Sequence, residues 1–223
     1  MNRPPRFSRH AITGILLSCV ACSASPSRRV GETIRQLQAF TIDRSDPDTL
    51  PDPQIPIKAK PLLTQLKHDL RDAIAERVNA TADAAAHVEQ IQTAVRRALP
   101  AEAHLGVGVD VEVDEARYGR VEGIRVQRPN ADQDLIVATT TLWVMCGSDT
   151  SLYVLQRKDT RWQVTLSIES NDYKDVSGAL GRFTYRVSGI RPDGSVVVVI
   201  ADVNPWCSSN WQRLRYRAFV VGA

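Results

Sequence analysis

Residues 134–168 read DLIVATTTLWVMCGSDTSLYVLQRKDTRWQVTLSI, and this stretch decides the fold. Runs rich in β-branched, aromatic and other apolar residues predict strands at 134–145, 151–157 and 161–168. Polar connections separate them, including the turn Lys158-Asp159-Thr160. Because connections this short favour antiparallel pairing, the three strands are expected to be neighbours in one sheet.

The same character extends on both sides of this stretch. In the segment 107–113 valines alternate with polar residues, which predicts a half-buried strand. Further strands are predicted at 120–127, 182–189, 195–203 and 212–220. All tryptophans and tyrosines lie between residues 118 and 216, so we expect the main core there. A sandwich or a strongly curved sheet fits residues 104–223, and two degenerate propeller blades are the weaker alternative because a closed propeller needs more strands.

Residues 61–100 follow a helical period instead. Apolar residues recur at steps of three and four from Leu62 to Val78, and again from Val88 to Leu99. The polar stretch 79–83 offers a break between the two runs and an N-cap for the second helix. We therefore expect a helical hairpin over 61–100, with one long kinked helix as the alternative. The sequence predicts an α+β fold, in which this N-terminal hairpin precedes an antiparallel β-rich domain.

The N-terminus has the features of an export signal. Three arginines within the first nine residues precede a short apolar run at 11–20, and small residues follow. A membrane-spanning helix needs roughly 20 apolar residues, about twice the length of this run. Residues 1–21 are therefore expected to be a signal peptide, and residues 22–60, rich in proline, to form a tether.

Two cysteines at the end of the signal leave the final location open. Both Cys19 and Cys22 lie in contexts that resemble the lipidation signal of bacterial lipoproteins, and Cys22 is favoured because lipidation there leaves no odd thiol. Cleavage after Ser23 or Ala24, which gives a soluble product, is the alternative. The mature chain is thus expected in the periplasm or lipid-anchored to the bacterial envelope.

The formal charge of +3 belongs to the signal. Removing its three arginines from the 28 basic residues leaves 25, which equals the number of acidic residues. Because a nucleic-acid-binding domain should carry a basic excess, nucleic acid is discounted as a partner. An envelope protein or glycan remains as the expected partner, with membrane contact through a lipid anchor at most.

Cys146 and Cys207 are the only cysteines beyond the signal region. In an exported chain two such cysteines predict one disulfide, and two free buried thiols are the alternative. The bridge would join two of three polar, irregular stretches, 146–153, 171–179 and 204–211, which are predicted to be loops. Seven side chains from these stretches form the tentative binding set: Trp206, Trp211, Ser148, Asp149, Asn210, Asn171 and Asp172. Tryptophans with short polar neighbours suit sugars or peptides, whereas shielding of the disulfide is the favoured structural explanation.

The same three stretches resemble a group of uncharacterised exported bacterial proteins. The shared sequence motifs are, in chain order, CGSDTSLY, then NDY followed by VSGA, then PWC-S-x-NW followed by LRY. The resemblance covers roughly residues 135–217. It implies an envelope location and no particular activity.

Enzyme motifs are scarce in this sequence. It contains no HExxH, GxSxG or P-loop, and no histidine follows His104. No metal site or cofactor is expected, because no three ligands cluster. The sequence therefore predicts an exported envelope protein with a non-catalytic binding or structural domain. The alternative is a hydrolase of envelope glycan or peptide that uses Asp149 with Asp172 or Asp175 as a carboxylate pair.

Overall fold

The computed structural model describes residues 24–41, 55–103, 117–144, 147–170, 173, 180–181, 183–203 and 214–222. These residues form three α-helices and seven strands, which confirms the predicted α+β fold. The helices are α1 (Pro26–Leu37), α2 (Ala59–Ala80) and α3 (Val88–Arg97). The strands are β1 (Val121–Gln127), β2 (Leu135–Val144), β3 (Gly147–Lys158), β4 (Arg161–Ile168), β5 (Phe183–Val187), β6 (Val196–Val203) and β7 (Leu214–Val221). The signal peptide and the strand predicted at 107–113 lie outside the described residues.

Helix α1 lies within the segment predicted to be a tether. Proline is favoured in the first turn of a helix, where its missing N–H costs nothing, and Pro26 begins α1. The side chains of Val30, Ile34 and Leu37 follow at helical spacing and are buried. They pack against α2, so residues 26–37 belong to the folded part rather than to the tether.

Helices α2 and α3 form the predicted hairpin. Their boundary falls in the polar stretch after Ala80, where the chain makes turns before α3 begins. The N-cap of α3 is His87, which makes no capping hydrogen bond, so the expected cap within 79–83 is wrong. The buried positions of α2 include Leu63, Leu66 and Leu70. Among the described residues, no helix combines the length and the apolar character needed to cross a membrane.

The strands form two antiparallel sheets. Sheet 1 has the order β1-β2-β3-β4, and sheet 2 has the order β5-β6-β7. In sheet 1, Ala138 lies opposite Tyr153, and Leu152 lies opposite Ile168. Every connection inside sheet 1 joins neighbouring strands, as the short polar turns predict.

The molecule has three layers. One face of sheet 1 packs against the helices, in a core that includes Ile124, Ala138 and Leu155. The other face packs against sheet 2, where Val137 and Val154 join Val198 and neighbouring side chains in a second core. Of the predicted β architectures, the sandwich is the one that forms, and the helices cover its outer sheet face.

Candidate functional site

The stretch 146–153, predicted to be a loop, is largely strand. Strand β3 begins at Gly147 and pairs with β2 through Trp143 opposite Ser148 and Thr141 opposite Thr150. Successive side chains of a strand point to opposite faces. Ser148 and Asp149 are therefore on different faces of sheet 1 and do not belong to one loop cluster.

The Ser148 face carries a groove of about 470 Å³. Ligand pockets in proteins usually measure about 300–1,000 Å³, so this space suffices for a small ligand or part of a chain-like one. Sheet 1, α3 and β5 contribute the lining residues, which are Arg96, Glu122, Gly123, Ile124, Arg125, Thr139, Thr141, Ser148, Thr150, Phe183 and Tyr185.

The floor of the groove is built from hydroxyl side chains. Thr139 and Thr141 are two residues apart on β2, and Thr150 lies opposite Thr141 on β3 with the two Oγ1 atoms 3.3 Å apart. The hydroxyl of Ser148 donates to the Glu122 carboxylate over 2.5 Å. A hydroxyl can both donate and accept hydrogen bonds, so this floor can pair with many polar ligands.

The floor exists because β2 and β3 change character along their length. Under sheet 2 the same face presents Leu135 and Val137 from β2, and Leu152 and Val154 from β3. Further along, the apolar side chains give way to threonine and serine. The apolar half stabilises the sandwich, and the hydroxyl half forms the groove.

Aromatic side chains form one wall. Phe183 and Tyr185 are two residues apart on β5 and are partly buried against the second core. The Tyr185 hydroxyl donates to Oε1 of Gln127 over 2.7 Å, which ties β5 to β1. Burial raises the pKa of Tyr185, and the positive charge of Arg125 opposes that rise. The Arg125 guanidinium therefore acts electrostatically on this wall.

The Asp149 face carries a second polar cluster, which is closed to solvent. The Nζ of Lys67 lies 3.1 Å from Oδ2 of Asp149, donates to the carbonyl oxygen of Ser170 and lies 4.5 Å from the ring centre of Tyr173. The Tyr173 hydroxyl also donates to Oδ2 of Asp149. The backbone N–H of Leu180 donates to Oδ1 over 2.9 Å. Both charged side chains are 0% exposed.

The pKa values in this cluster shift in the directions that burial dictates. Burial lowers the pKa of Lys67, and the charge of Asp149 opposes that change. Burial raises the pKa of Tyr173, and the Asp149 charge adds to the rise. The Tyr153 hydroxyl donates to the backbone carbonyl of Lys67 over 3.1 Å, which joins β3 to α2. This cluster joins the helical layer to sheet 1, and its two charged side chains are closed to solvent.

The hydrolase alternative depends on Asp149 as a carboxylate that faces a cleft. Asp149 is fully buried, and its partners occupy both carboxylate oxygens. Asp172 and Asp175 lie outside the described residues. Among the described residues no group of three or more histidine, cysteine, aspartate or glutamate side chains could hold a metal ion. The described geometry offers binding groups and no general acid–base pair in the groove.

The remaining predicted site residues lie outside the described part of the chain. They are Trp206, Trp211, Asn210, Asn171, Asp172, the disulfide cysteines Cys146 and Cys207, and the lipidation candidates Cys22 and Cys19. Of the tentative binding set, Ser148 lines the groove and Asp149 belongs to the buried cluster.

Sequence reasoning missed most of the groove and the cation of the buried cluster. The signal for the floor was the run Thr139-Thr140-Thr141 inside an otherwise apolar strand. The signal for the cluster was Lys67, which lies on the apolar stripe that includes Leu63 and Leu70. A lysine on such a stripe requires a buried partner, but only the fold identifies that partner.

No family model, curated protein or solved structure matches this chain. The resemblance to exported bacterial proteins stays a prediction.

Proposed function

We propose that this chain is an exported envelope protein whose β-rich part is a non-catalytic binding domain, and that the groove holds a glycan. The observation that carries the proposal is the pairing of a hydroxyl floor with an aromatic wall in one groove. The predicted signal peptide supports the envelope location.

The floor supports a ligand rich in hydroxyl groups. Thr139, Thr141 and Thr150 contribute groups that can donate to one sugar hydroxyl and accept from another. The Glu122 carboxylate beside Ser148 adds an acceptor that is already oriented by a hydrogen bond. A few fixed polar groups of this kind set the orientation of a bound ligand.

The wall supports a ligand with flat apolar faces, which pyranose rings have. Tyr185 is held by its hydrogen bond to Gln127, so little conformational entropy is lost when a ring packs on it. Phe183 lies on the same face of β5 and lengthens the aromatic surface. Burial of apolar area on these rings would supply affinity, while the floor supplies orientation.

Titration calorimetry of the purified mature chain against a panel of oligosaccharides tests the proposal. The panel contains neutral members, including chitotetraose, and carboxylate-bearing members, including an alternating N-acetylglucosamine–N-acetylmuramic acid tetrasaccharide. We expect at least one member to bind, and Tyr185→Ala to weaken its binding about ten-fold through loss of ring contact. Thr141→Val, which keeps the side-chain shape, is expected to weaken the same binding.

Matched variants separate binding from folding. Tyr185→Phe keeps the ring and is expected to retain most of the affinity. Tyr216→Ala removes a tyrosine that is 70% exposed outside the groove and should leave binding unchanged. Unchanged thermal unfolding of Thr141→Val would show that its effect is local. If no member of the panel binds at millimolar concentration, or if neither groove variant matters, the proposal is wrong.

A further inference from the structure

The described residues that line the groove carry more positive than negative charge. Arg96 enters it from α3, Arg125 enters from β1, and Glu122 is the only carboxylate among the described residues that line it. Both arginine side chains are exposed, so their charges are available to a ligand at the groove surface. The described lining therefore carries one net positive charge.

Among the described residues, the Glu122 carboxylate has a hydrogen-bond partner, whereas the two arginines of the groove have no carboxylate partner. Glu122 accepts the 2.5 Å hydrogen bond from Ser148. Neither Arg96 nor Arg125 forms an ion pair with a carboxylate within the described part of the chain. This contrasts with Arg29 and Arg215, which pair with buried aspartates at 3.0 and 2.6 Å.

The two arginines also differ from ordinary surface cations in their location. Arg125 and Tyr185 line the same groove, and the positive charge of Arg125 opposes the rise that burial causes in the pKa of Tyr185. Arg96 lies on α3, which packs against β1, and it lines the same groove. A guanidinium presents a planar set of donors that matches a carboxylate, and such bonds are about twice as strong as neutral ones.

We propose that the groove selects a glycan that carries carboxylate groups, and that Arg96 and Arg125 supply the cations that recognise them. The inference rests on the proposed glycan function and narrows it to acidic sugars. In this arrangement the aromatic wall packs on the sugar ring, and the arginines contact its carboxylates. Glu122 repels a ligand carboxylate that lies beside Ser148. The ligand is therefore expected to bind with its carboxylates near the arginines and away from Glu122.

Two tetrasaccharides, one with carboxylates and one without, measure how much the carboxylates contribute to binding. The alternating N-acetylglucosamine–N-acetylmuramic acid tetrasaccharide carries lactyl carboxylates, and chitotetraose has the same type of backbone without them. Titration of the mature chain is expected to show at least ten-fold tighter binding of the acidic ligand. Sodium chloride should weaken the binding of the acidic ligand more than the binding of chitotetraose, because salt screens exposed charges.

Variants assign the preference to the arginines. Arg96→Gln and Arg125→Gln are each expected to reduce the affinity ratio of the acidic ligand to chitotetraose several-fold, and the double variant to bring that ratio close to one. Arg125→Lys should recover part of the preference, since it restores the charge but not the planar geometry. Arg97→Gln changes the neighbouring exposed residue of α3, which does not line the groove, and should have no effect.

The outcomes distinguish this inference from the function on which it rests. Equal affinity for the two ligands, together with loss of both on Tyr185→Ala, overturns the acidic preference and retains the glycan groove. An acidic preference that survives in the double variant overturns the assignment to Arg96 and Arg125. Binding of neither ligand at millimolar concentration overturns the inference, whereas the proposed glycan function is overturned only if no other member of the oligosaccharide panel binds.

Discussion

Lys67 and Asp149 show how a buried charge is retained in this fold. Desolvation of two ions costs several kcal/mol each, and their attraction compensates only when the remaining hydrogen bonds are satisfied. The carboxylate meets this condition through Tyr173 and the backbone N–H of Leu180, and the ammonium through the carbonyl of Ser170. The intact ion pair is therefore compatible with burial, whereas removal of one partner is expected to destabilise the fold.

Replacing Lys67 alone tests whether the loss of one partner of the ion pair destabilises the fold. Lys67→Met keeps a long unbranched side chain but leaves the Asp149 carboxylate buried without its cation. We expect a loss of about 3–5 kcal/mol in the free energy of unfolding, measured with urea at pH 7. The double variant Lys67→Met/Asp149→Asn should recover part of this loss, because the amide is neutral, its oxygen can still accept from the Leu180 N–H, and its NH2 group can donate to the Tyr173 hydroxyl. Equal stability of Lys67→Met and the wild type would contradict the role given to this pair.

Ser148 and Asp149 show what the sequence could not decide. Their polar neighbours predict a loop, and in a loop the two side chains could act together. Pairing with β2 makes the segment a strand, so the two residues separate onto opposite faces. The polar residues that look like loop composition instead line a groove on one face and a buried cluster on the other. The face on which each side chain lies is determined by the pairing of β3 with β2, which the local sequence does not show.

Among the elements, helix α1 differs most from the sequence prediction. Proline-rich neighbours at 51–61 made the whole segment 22–60 look like a tether. The stripe of Val30, Ile34 and Leu37 is short, and so its burial depends on the apolar face of α2. Polar contacts add to this docking, because Asp69 accepts from Arg29 at 3.0 Å and from Thr33 at 2.9 Å. Prolines outside the helix did not prevent it from forming.

Truncating the centre of the α1 stripe measures how firmly the helix is docked. Ile34 is 0% exposed, and Ile34→Ala is expected to lower the free energy of unfolding by about 2–5 kcal/mol. Gln36→Ala, an exposed position on the same helix, should change it by less than about 0.5 kcal/mol. Urea unfolding followed by circular dichroism gives both values. A negligible effect of Ile34→Ala would show that α1 contributes no packing and behaves as part of the tether.

Seven of the eight predicted strands form among the described residues, whereas the faces of these strands were predictable only in part. The apolar half of β2, which includes Leu135 and Val137, follows the expected pattern of a buried strand and is covered by sheet 2. The threonine half follows the same β propensity, because threonine is β-branched, but it lines the groove instead. Propensity thus predicted the strand through both halves, and side-chain polarity marked the position of the groove.

At the scale of the molecule, sheet 1 has a different role on each face. The helical face is a closed core that contains the Lys67–Asp149 pair, and the opposite face carries the sandwich core and the groove. Ligand contacts and stability are therefore assigned to different side chains of the same strands. This separation explains why groove variants are expected to change binding with little change in folding.

The closed cores also determine how the whole molecule responds to alkali. Burial raises the pKa of Tyr118 to about 12, and the pKa values of Tyr153 and Tyr173 are also raised above the usual value of 10. Above pH 10 the unfolded chain loses protons that the folded chain retains, so stability is full below pH 10 and falls as pH rises. Each such tyrosine contributes up to about 1.4 kcal/mol per pH unit to that fall.

Tyr118→Phe should flatten this alkaline decline. Tyr118 is 0% exposed, and its hydroxyl has no hydrogen-bond partner among the described residues. The substitution should therefore leave the unfolding free energy at pH 7 unchanged or slightly higher, since it removes an unsatisfied buried group. Between pH 10 and 12 the variant should lose stability less steeply than the wild type, measured by urea unfolding at each pH. The exposed control Tyr216→Phe should follow the wild type, and a Tyr118→Phe profile that also follows the wild type would show that Tyr118 ionises equally in both states.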